Sequence, residues 1–358
     1  MNYTDAIKEA HHYQLLNDDK VYIIGLGVNY PNGADGTTKG LSSLFPDKLI
    51  DVPVSELSFT GMAVGMASQG FKPVIHHGRI EFAMLAFDQI FTQASRWNYM
   101  FGGDYNCPIF LRICIGRQWG NGPQHTANYH SIFMQSPGLD IFIPATPKDA
   151  YRSIKKSLYN TNPSVMLEHR WLYKTSENFS IDECNATKDE AFETASIYGN
   201  GKDFTIITYG DGLIESLKFL EFSNKNSILK GRVICVKYFS ATNRYSKNLI
   251  NELKNSSKII AVDTAPFEGG ILSTLLGQFV CESINSEISF VKCSPEFHPC
   301  PTSPKLVGEY YPNMKSIAAS LKKIGYKFEN LPEMTFDEIH NAPSFNFDFD
   351  TIPVYDIY

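Results

Sequence analysis

Residues 109–115, IFLRICI, carry one charged side chain, Arg112, in a run without polar–apolar alternation. A strand with one face in water alternates, whereas a strand covered on both faces does not. Such a segment belongs in a parallel sheet with helices packed on either side. VYIIGLGV (21–28), LIDVPV (49–54), KPVIHH (72–77), LDIFIP (139–144) and SVMLEH (164–169) read as further strands. Segments of helical spacing separate them. Ala6, Ala10 and Tyr13 share one face, and a second helix runs from about Leu57 to Ser68. Ile80, Ala83, Met84, Phe87, Ile90, Phe91, Ala94 and Trp97 form a stripe that predicts one long helix. Thr146 as N-cap, Pro147 after it and Asp149 in the first turn mark another helix start. Strand–helix alternation of this kind predicts an α/β fold with mainly parallel sheets.

The pattern then repeats. Residues 175–202 are polar and acidic and read as a connection with a short hairpin. Beyond it DFTIITYG, GRVICVKY, KIIAVDT and EISFVKC are strands, GLIESLKFLEFS and EGGILSTLLGQFVCESI are helices, and NMKSIAASLKKIG is a terminal helix. A chain of 358 residues suits two α/β domains. The expected division is 1–185 and 200–325, with a tail at 326–358 that lacks a period and either wraps over another surface or stays disordered.

A formal net charge of −6 with scattered Lys and Arg leaves no basic stripe for nucleic acid or an anionic membrane. The first twenty residues hold no apolar signal segment, and no apolar run reaches bilayer length. The seven Cys are odd in number and widely spread, without a C-x-x-C pair. They read as reduced, mostly buried thiols of a cytoplasmic protein. Neither His nor Cys falls at metal-ligand spacing, so the expectation is no metal held by this chain alone.

Two places carry candidate chemistry. Glu56 is the single acid in DVPVSELSFTGMAVGMASQG (51–70), an otherwise buried-looking run. It is either a helix-start carboxylate attracted by free backbone N–H groups or an acid facing a ligand across a strand-to-helix crevice. The second place is the loop GRQWGNGPQH (116–125), where glycines surround Arg117 and Trp119 and the loop ends at His125. His125 reads as a solvated loop histidine unless other features support it. A third feature, GDG at 210–212, matches half of the thiamine diphosphate signature. The Asn-Asn that should follow is missing, so this GDG reads as a strand-ending turn.

Several longer segments carry a resemblance. VPVSELSFTGMAVGMASQGFKPV (52–74), AFDQIFTQASRWNYMFGG (86–103), GPQH (122–125), PGLDIFIPATPKDA (137–150) and NPSVMLEHRWLY (162–173) resemble the β subunit of the thiamine-dependent decarboxylating component of 2-oxo acid dehydrogenase complexes, the pyruvate dehydrogenase β type. The second half follows the pattern more loosely, and coverage is roughly 1–325. The resemblance implies a transketolase-like pyrimidine-binding domain followed by a transketolase C-terminal-like domain. It implies that Glu56 hydrogen-bonds a pyrimidine nitrogen of thiamine diphosphate and so promotes loss of the thiazolium proton. By the same resemblance His125 lines the substrate channel, and an α-type partner carries GDG…Asn-Asn and holds most of the magnesium–diphosphate. It further implies a heterotetramer of two α and two β chains, with a lipoyl acyltransferase as a possible acceptor.

Two departures stand out. Leu26 replaces the family acid in Gly25-Leu26-Gly27-Val28. Arg79-Ile80-Glu81-Phe82 stands where relatives have aromatics, leaving Phe82 alone beside the pyrimidine. With Arg117, the extra Arg79 is a candidate for binding an anionic substrate. The expected activity is decarboxylation of a 2-oxo acid with transfer of the acyl or aldehyde unit. A split transketolase that moves a ketol unit, or a non-catalytic subunit of the same fold, are the alternatives.

Overall fold

A computed structural model describes residues 1–117, 120–186, 192–226, 229–244, 246–266, 269–281, 286–293, 298–343 and 352–358. The first half contains α1 (Tyr3–Asn17), β1 (Val21–Gly25), α2 (Leu41–Leu44), β2 (Leu49–Asp51), α3 (Glu56–Ser68), β3 (Lys72–His77), α4 (Ile80–Ala83), α5 (Trp97–Met100), β4 (Phe110–Ile115), α6 (His130–Met134), β5 (Asp140–Phe142), α7 (Pro147–Ser157) and β6 (Ser164–His169). The second contains α8 (Ile181–Ala186), β7 (Ala195–Tyr198), β8 (Phe204–Tyr209), α9 (Gly212–Lys225), β9 (Gly231–Val236), β10 (Tyr238–Phe239), α10 (Lys247–Lys254), β11 (Lys258–Pro266), α11 (Ile271–Cys281) and β12 (Glu287–Cys293). After these come α12 (Pro304–Tyr310), α13 (Met314–Lys323), α14 (Phe336–His340) and β13 (Val354–Ile357).

Two sheets result. The first runs β10-β5-β6-β4-β3-β1-β2 and the second β12-β11-β8-β9-β7-β13. Pairs within the first sheet are parallel except where β10, from the second half, adds antiparallel to β5. The second keeps a parallel core, β12-β11-β8-β9, with β7 and β13 antiparallel at its edge. The two-part α/β architecture is therefore as expected. Every residue of β4 is buried, which is why its sequence does not alternate.

Arg112, the charge inside β4, is fully buried and fully used. Its guanidinium donates to both oxygens of Glu168 on the neighbouring β6, with Nη2 at 2.8 Å from Oε1. Its Nη1 lies 3.1 Å from both His11 Nε2 and Thr37 Oγ1. His11 turns its other nitrogen to the Gln14 side-chain oxygen at 3.0 Å, so Nδ1 carries its proton and Nε2 accepts from Arg112. Burial, then the Arg112 charge, lowers the His11 pKa to about 3, which keeps that acceptor free. His76, Cys114 and Glu168 also bring ligand atoms within 4.8 Å of one another, but Arg112 already occupies the carboxylate.

Several local expectations change. The stripe from Ile80 does not make one long helix. After α4 the chain tightens into a 3-10 turn, Met84–Ala86, then widens into a π-helix, Asp88–Ala94, before α5. Ile80, Ala83, Ile90 and Ala94 are buried, while Met84 on the same stripe is exposed. Changing the number of residues per turn rotates the later part of the stripe relative to the earlier part. The connection after residue 175 contains α8, and β7 pairs with β9 and β13 in the second sheet, so no hairpin forms within it among the described residues. The tail wraps. Its β13 covers the β7 edge, and Trp171 Nε1 donates to the Glu338 carbonyl at 3.0 Å beside α14. The seven cysteines are free, six of them buried and Cys281 exposed.

Candidate active site

Strands β2, β3, β4 and β6 run parallel, so the residues following them meet at one edge of the first sheet. Crevices at such carboxyl edges are where α/β sheets bind ligands. Glu56 opens α3 shortly after β2 and is 8% exposed. The Ser55 hydroxyl caps no backbone group and donates instead to Ser58 Oγ at 2.9 Å. Among the described residues none donates a hydrogen bond to the Glu56 carboxylate. It therefore does sit at a helix start, and it keeps its acceptor oxygens available. The flanking segments expose Val54, Leu57, Met62, Phe82, Met84 and Leu85 to solvent, an unusual concentration of apolar side chains.

The glycine loop is clipped to α4. The Glu81 carboxylate accepts the Ala127 N–H at 2.8 Å, and the next residue, Phe82, packs its ring 5.5 Å from the ring of His125. Within the loop, the Gly122 carbonyl accepts both the His125 N–H at 3.3 Å and the Thr126 hydroxyl at 2.7 Å. His125 Nδ1 is buried without a hydrogen-bond partner among the described residues. Phe82 and His125, named separately from the sequence, are thus brought together. Trp119 lies outside the described residues.

Arg79 and Arg117 lie elsewhere in the crevice, both buried, at 5% and 3% exposure. Arg117 places its guanidinium 3.9 Å from the Trp171 ring centre and 4.3 Å from that of Tyr311. Between the two halves, His169 at the end of β6 approaches Asp211 at the start of α9, with Nε2 and Oδ2 at 3.3 Å but without hydrogen-bond alignment. The Trp171 N–H donates to His169 Nδ1 at 3.3 Å, so the His169 proton resides on Nε2. Burial, followed by the charges of Arg117 and Arg79, holds the His169 pKa well below its usual value. Burial pushes Asp211 up to about 7 despite the opposing pull of Arg117. Asn128 Nδ2 also crosses the seam to the Thr264 carbonyl at 2.8 Å.

Sequence reading missed Glu81, His169 and Asp211. The first two followed or ended recognisable strands, and that position was their only signal. Asp211 is indeed in a strand-ending turn, with Gly210 at φ +52° and Asp211 preceding α9, but its side chain also serves the seam.

Comparison with known proteins gives a consistent picture. Residues 1–175 match the transketolase pyrimidine-binding domain. The chain is 30% identical over 286 residues to a mitochondrial pyruvate dehydrogenase E1 component subunit beta-1 of Arabidopsis thaliana, covering 80% of this chain and 78% of that one. It is 28% identical over 329 residues to the beta subunit of acetoin:2,6-dichlorophenolindophenol oxidoreductase of Cupriavidus necator, covering 89% of this chain and 95% of that one. Among solved structures, a split-gene transketolase described as an inactive beta4 tetramer superposes with a TM-score of 0.72 at 17% identity, covering 90% of this chain and 98% of that one. That likeness speaks for the fold.

Proposed function

This chain belongs to the pyruvate dehydrogenase E1 β-subunit family, and from that premise we propose that it is the β subunit of a two-chain thiamine diphosphate enzyme that decarboxylates a 2-oxo acid. The observation that carries the reading is Glu56: a nearly buried carboxylate at the crevice, unspent on any described partner and flanked by exposed apolar side chains. Such a place fits an aromatic heterocycle with a ring nitrogen that needs an acid beside it. When bound, the cofactor supplies a carbon nucleophile and an electron sink for loss of carbon dioxide. Glu56 would hold a proton at the pyrimidine nitrogen, and Phe82 would cover the ring. His125, with its free Nδ1, would hydrogen-bond the oxo acid or the group left after decarboxylation. An α-type partner would carry the diphosphate and its magnesium, because this chain's GDG lacks the Asn-Asn that should follow it and its Asp211 is buried beside His169 at the seam. The exposed apolar rim would meet that partner, and a heterotetramer with an acceptor such as a lipoyl group would complete the assembly.

The test is Glu56→Gln in the enzyme reconstituted with its copurifying partner. Assembly should be unchanged while turnover drops by about 10²–10⁴-fold, the range lost with a proton-transfer group. Retained turnover would sink the assigned role. Native mass spectrometry should show the partner in equal numbers. A homodimer alone would instead favour a non-catalytic subunit.

A further inference from the structure

Burying a guanidinium is costly unless its N–H groups find acceptors. Among the described residues Arg112 meets that condition, with Glu168, His11 and Thr37 as acceptors, and Arg170 is paired with the Asp35 carboxylate. Arg79 and Arg117 have no such carboxylate partner among those residues. Among the described residues Arg117 Nε and Nη1 are buried without a hydrogen-bond partner, and so is Arg79 Nη1. The rings of Trp171 and Tyr311 satisfy Arg117 through its faces, which leaves the in-plane donors unspent. Asp211 is the acid that acts on Arg117, but burial pushes that carboxyl up to about 7, so it is a weak counter-charge near neutrality. Glu81, next but one to Arg79, spends one oxygen on Ala127. His169, between the two arginines electrostatically, is neutral. Both guanidiniums therefore keep buried donors that meet no acceptor among the described residues.

We propose that Arg79 and Arg117 form an oxyanion subsite for a second, distal anionic group on the substrate, a carboxylate or a phosphate ester. The identity of that molecule as substrate rests on the function proposed above, while the anion site itself does not. Arg117 borders a cavity of about 10 Å³ together with Gly120, Gly122, Thr126 and Thr302. That volume takes one oxygen-sized atom, as a terminal oxygen of an anionic group would be, and Arg117 rather than Arg79 is the arginine that lines it. A planar guanidinium held by rings is pre-organised for such an oxygen. A substrate such as pyruvate, whose one carboxylate is lost in the reaction, would leave both arginines unpaired. A 2-oxo acid or ketose with a second anionic end would not.

The experiment is calorimetric titration of the full-length chain, without partner or thiamine, using glutarate and inorganic phosphate as separate probes. Saturable binding is expected. Replacing a charge-assisted hydrogen bond in Arg117→Gln should weaken it by about 10–100-fold. Arg79→Gln should weaken it less, and Arg96→Gln, at an exposed arginine, should leave it unchanged. Arg117→Lys, which keeps the charge and loses the fork, provides a folded variant of intermediate affinity if Arg117→Gln misfolds. Tighter glutarate binding assigns a distal carboxylate, and tighter phosphate binding assigns a phosphate ester. Absence of saturable binding by either probe, or binding undiminished in both Arg117 variants, overturns the proposal. Neither result bears on the Glu56→Gln test, so the two readings can fail separately.

Discussion

Arg112 lies inside β4 and Arg117 just beyond its end, yet the chain treats them in opposite ways. Arg112 is surrounded by acceptors from three directions, α1, the Thr37 turn and β6. Arg117 is surrounded by rings and keeps two donors unspent. The first arrangement is a closed polar network that holds strands and a helix in register. The second is poised for something the chain does not itself provide. The difference shows that burial of a charge does not by itself indicate function, and that the informative quantity is whether its hydrogen bonds close.

The comparison is easiest to break at Arg112. Arg112→Met strands the Glu168 carboxylate in the core and should cost about 3–5 kcal/mol in urea unfolding. Arg117→Gln, which loses ring contacts but also removes unsatisfied donors, should cost about 1 kcal/mol or less. Similar losses at both positions would mean that Arg117 is structural after all.

Next in size is the pH dependence set by Asp211. Its folded pKa of about 7 stands above the ordinary 3.8, so between those values the folded protein keeps a proton that the unfolded chain releases. Stability from this group is therefore complete below the lower value and declines as pH rises to the upper one, by roughly 2–4 kcal/mol. Asp211→Asn should flatten that decline in unfolding midpoints measured from pH 4 to 8. An unchanged slope would place the titration elsewhere.

Gly116→Ala should follow, at about 1–3 kcal/mol. Its φ is +75°, and a Cβ there would stand 1.9 Å from His169 Nε2, so the ring under the seam must shift. A small effect is also expected from Glu338→Ala in the tail. Glu338 accepts the Thr335 N–H at 2.7 Å in the cap of α14, and its loss should cost about 1 kcal/mol. Because α14 backs Trp171, and Trp171 backs Arg117, amide exchange should quicken around 171 and 336–341 and stay unchanged around Arg112.

How much of this could be read beforehand differs by residue. Glu56 was legible because an acid fronting an apolar helix is odd in any chain, and the resemblance carried by residues 52–74 offered it a role. Phe82 and His125 were named separately, but nothing in their spacing said that the rings meet. The broken helix after Ile80 was hidden, because a hydrophobic stripe reports a face and is nearly blind to whether the backbone hydrogen bonds reach back three, four or five residues. The tail was illegible for a related reason. Its strand Val354–Ile357 has an edge to join only once β7 exists, and three of its four residues are exposed, so it carries no apolar signature.

By itself the amino-acid sequence determined the two-part α/β plan, the family and the acid at the crevice. These follow from local periodicity, covered strands and motifs contiguous in the chain. Tertiary structure alone decided the seam, where His169 meets Asp211 and where Arg79 and Arg117 are left with free donors. Whether a buried donor finds an acceptor depends on residues distant in the chain, and only the packed fold brings those together or keeps them apart.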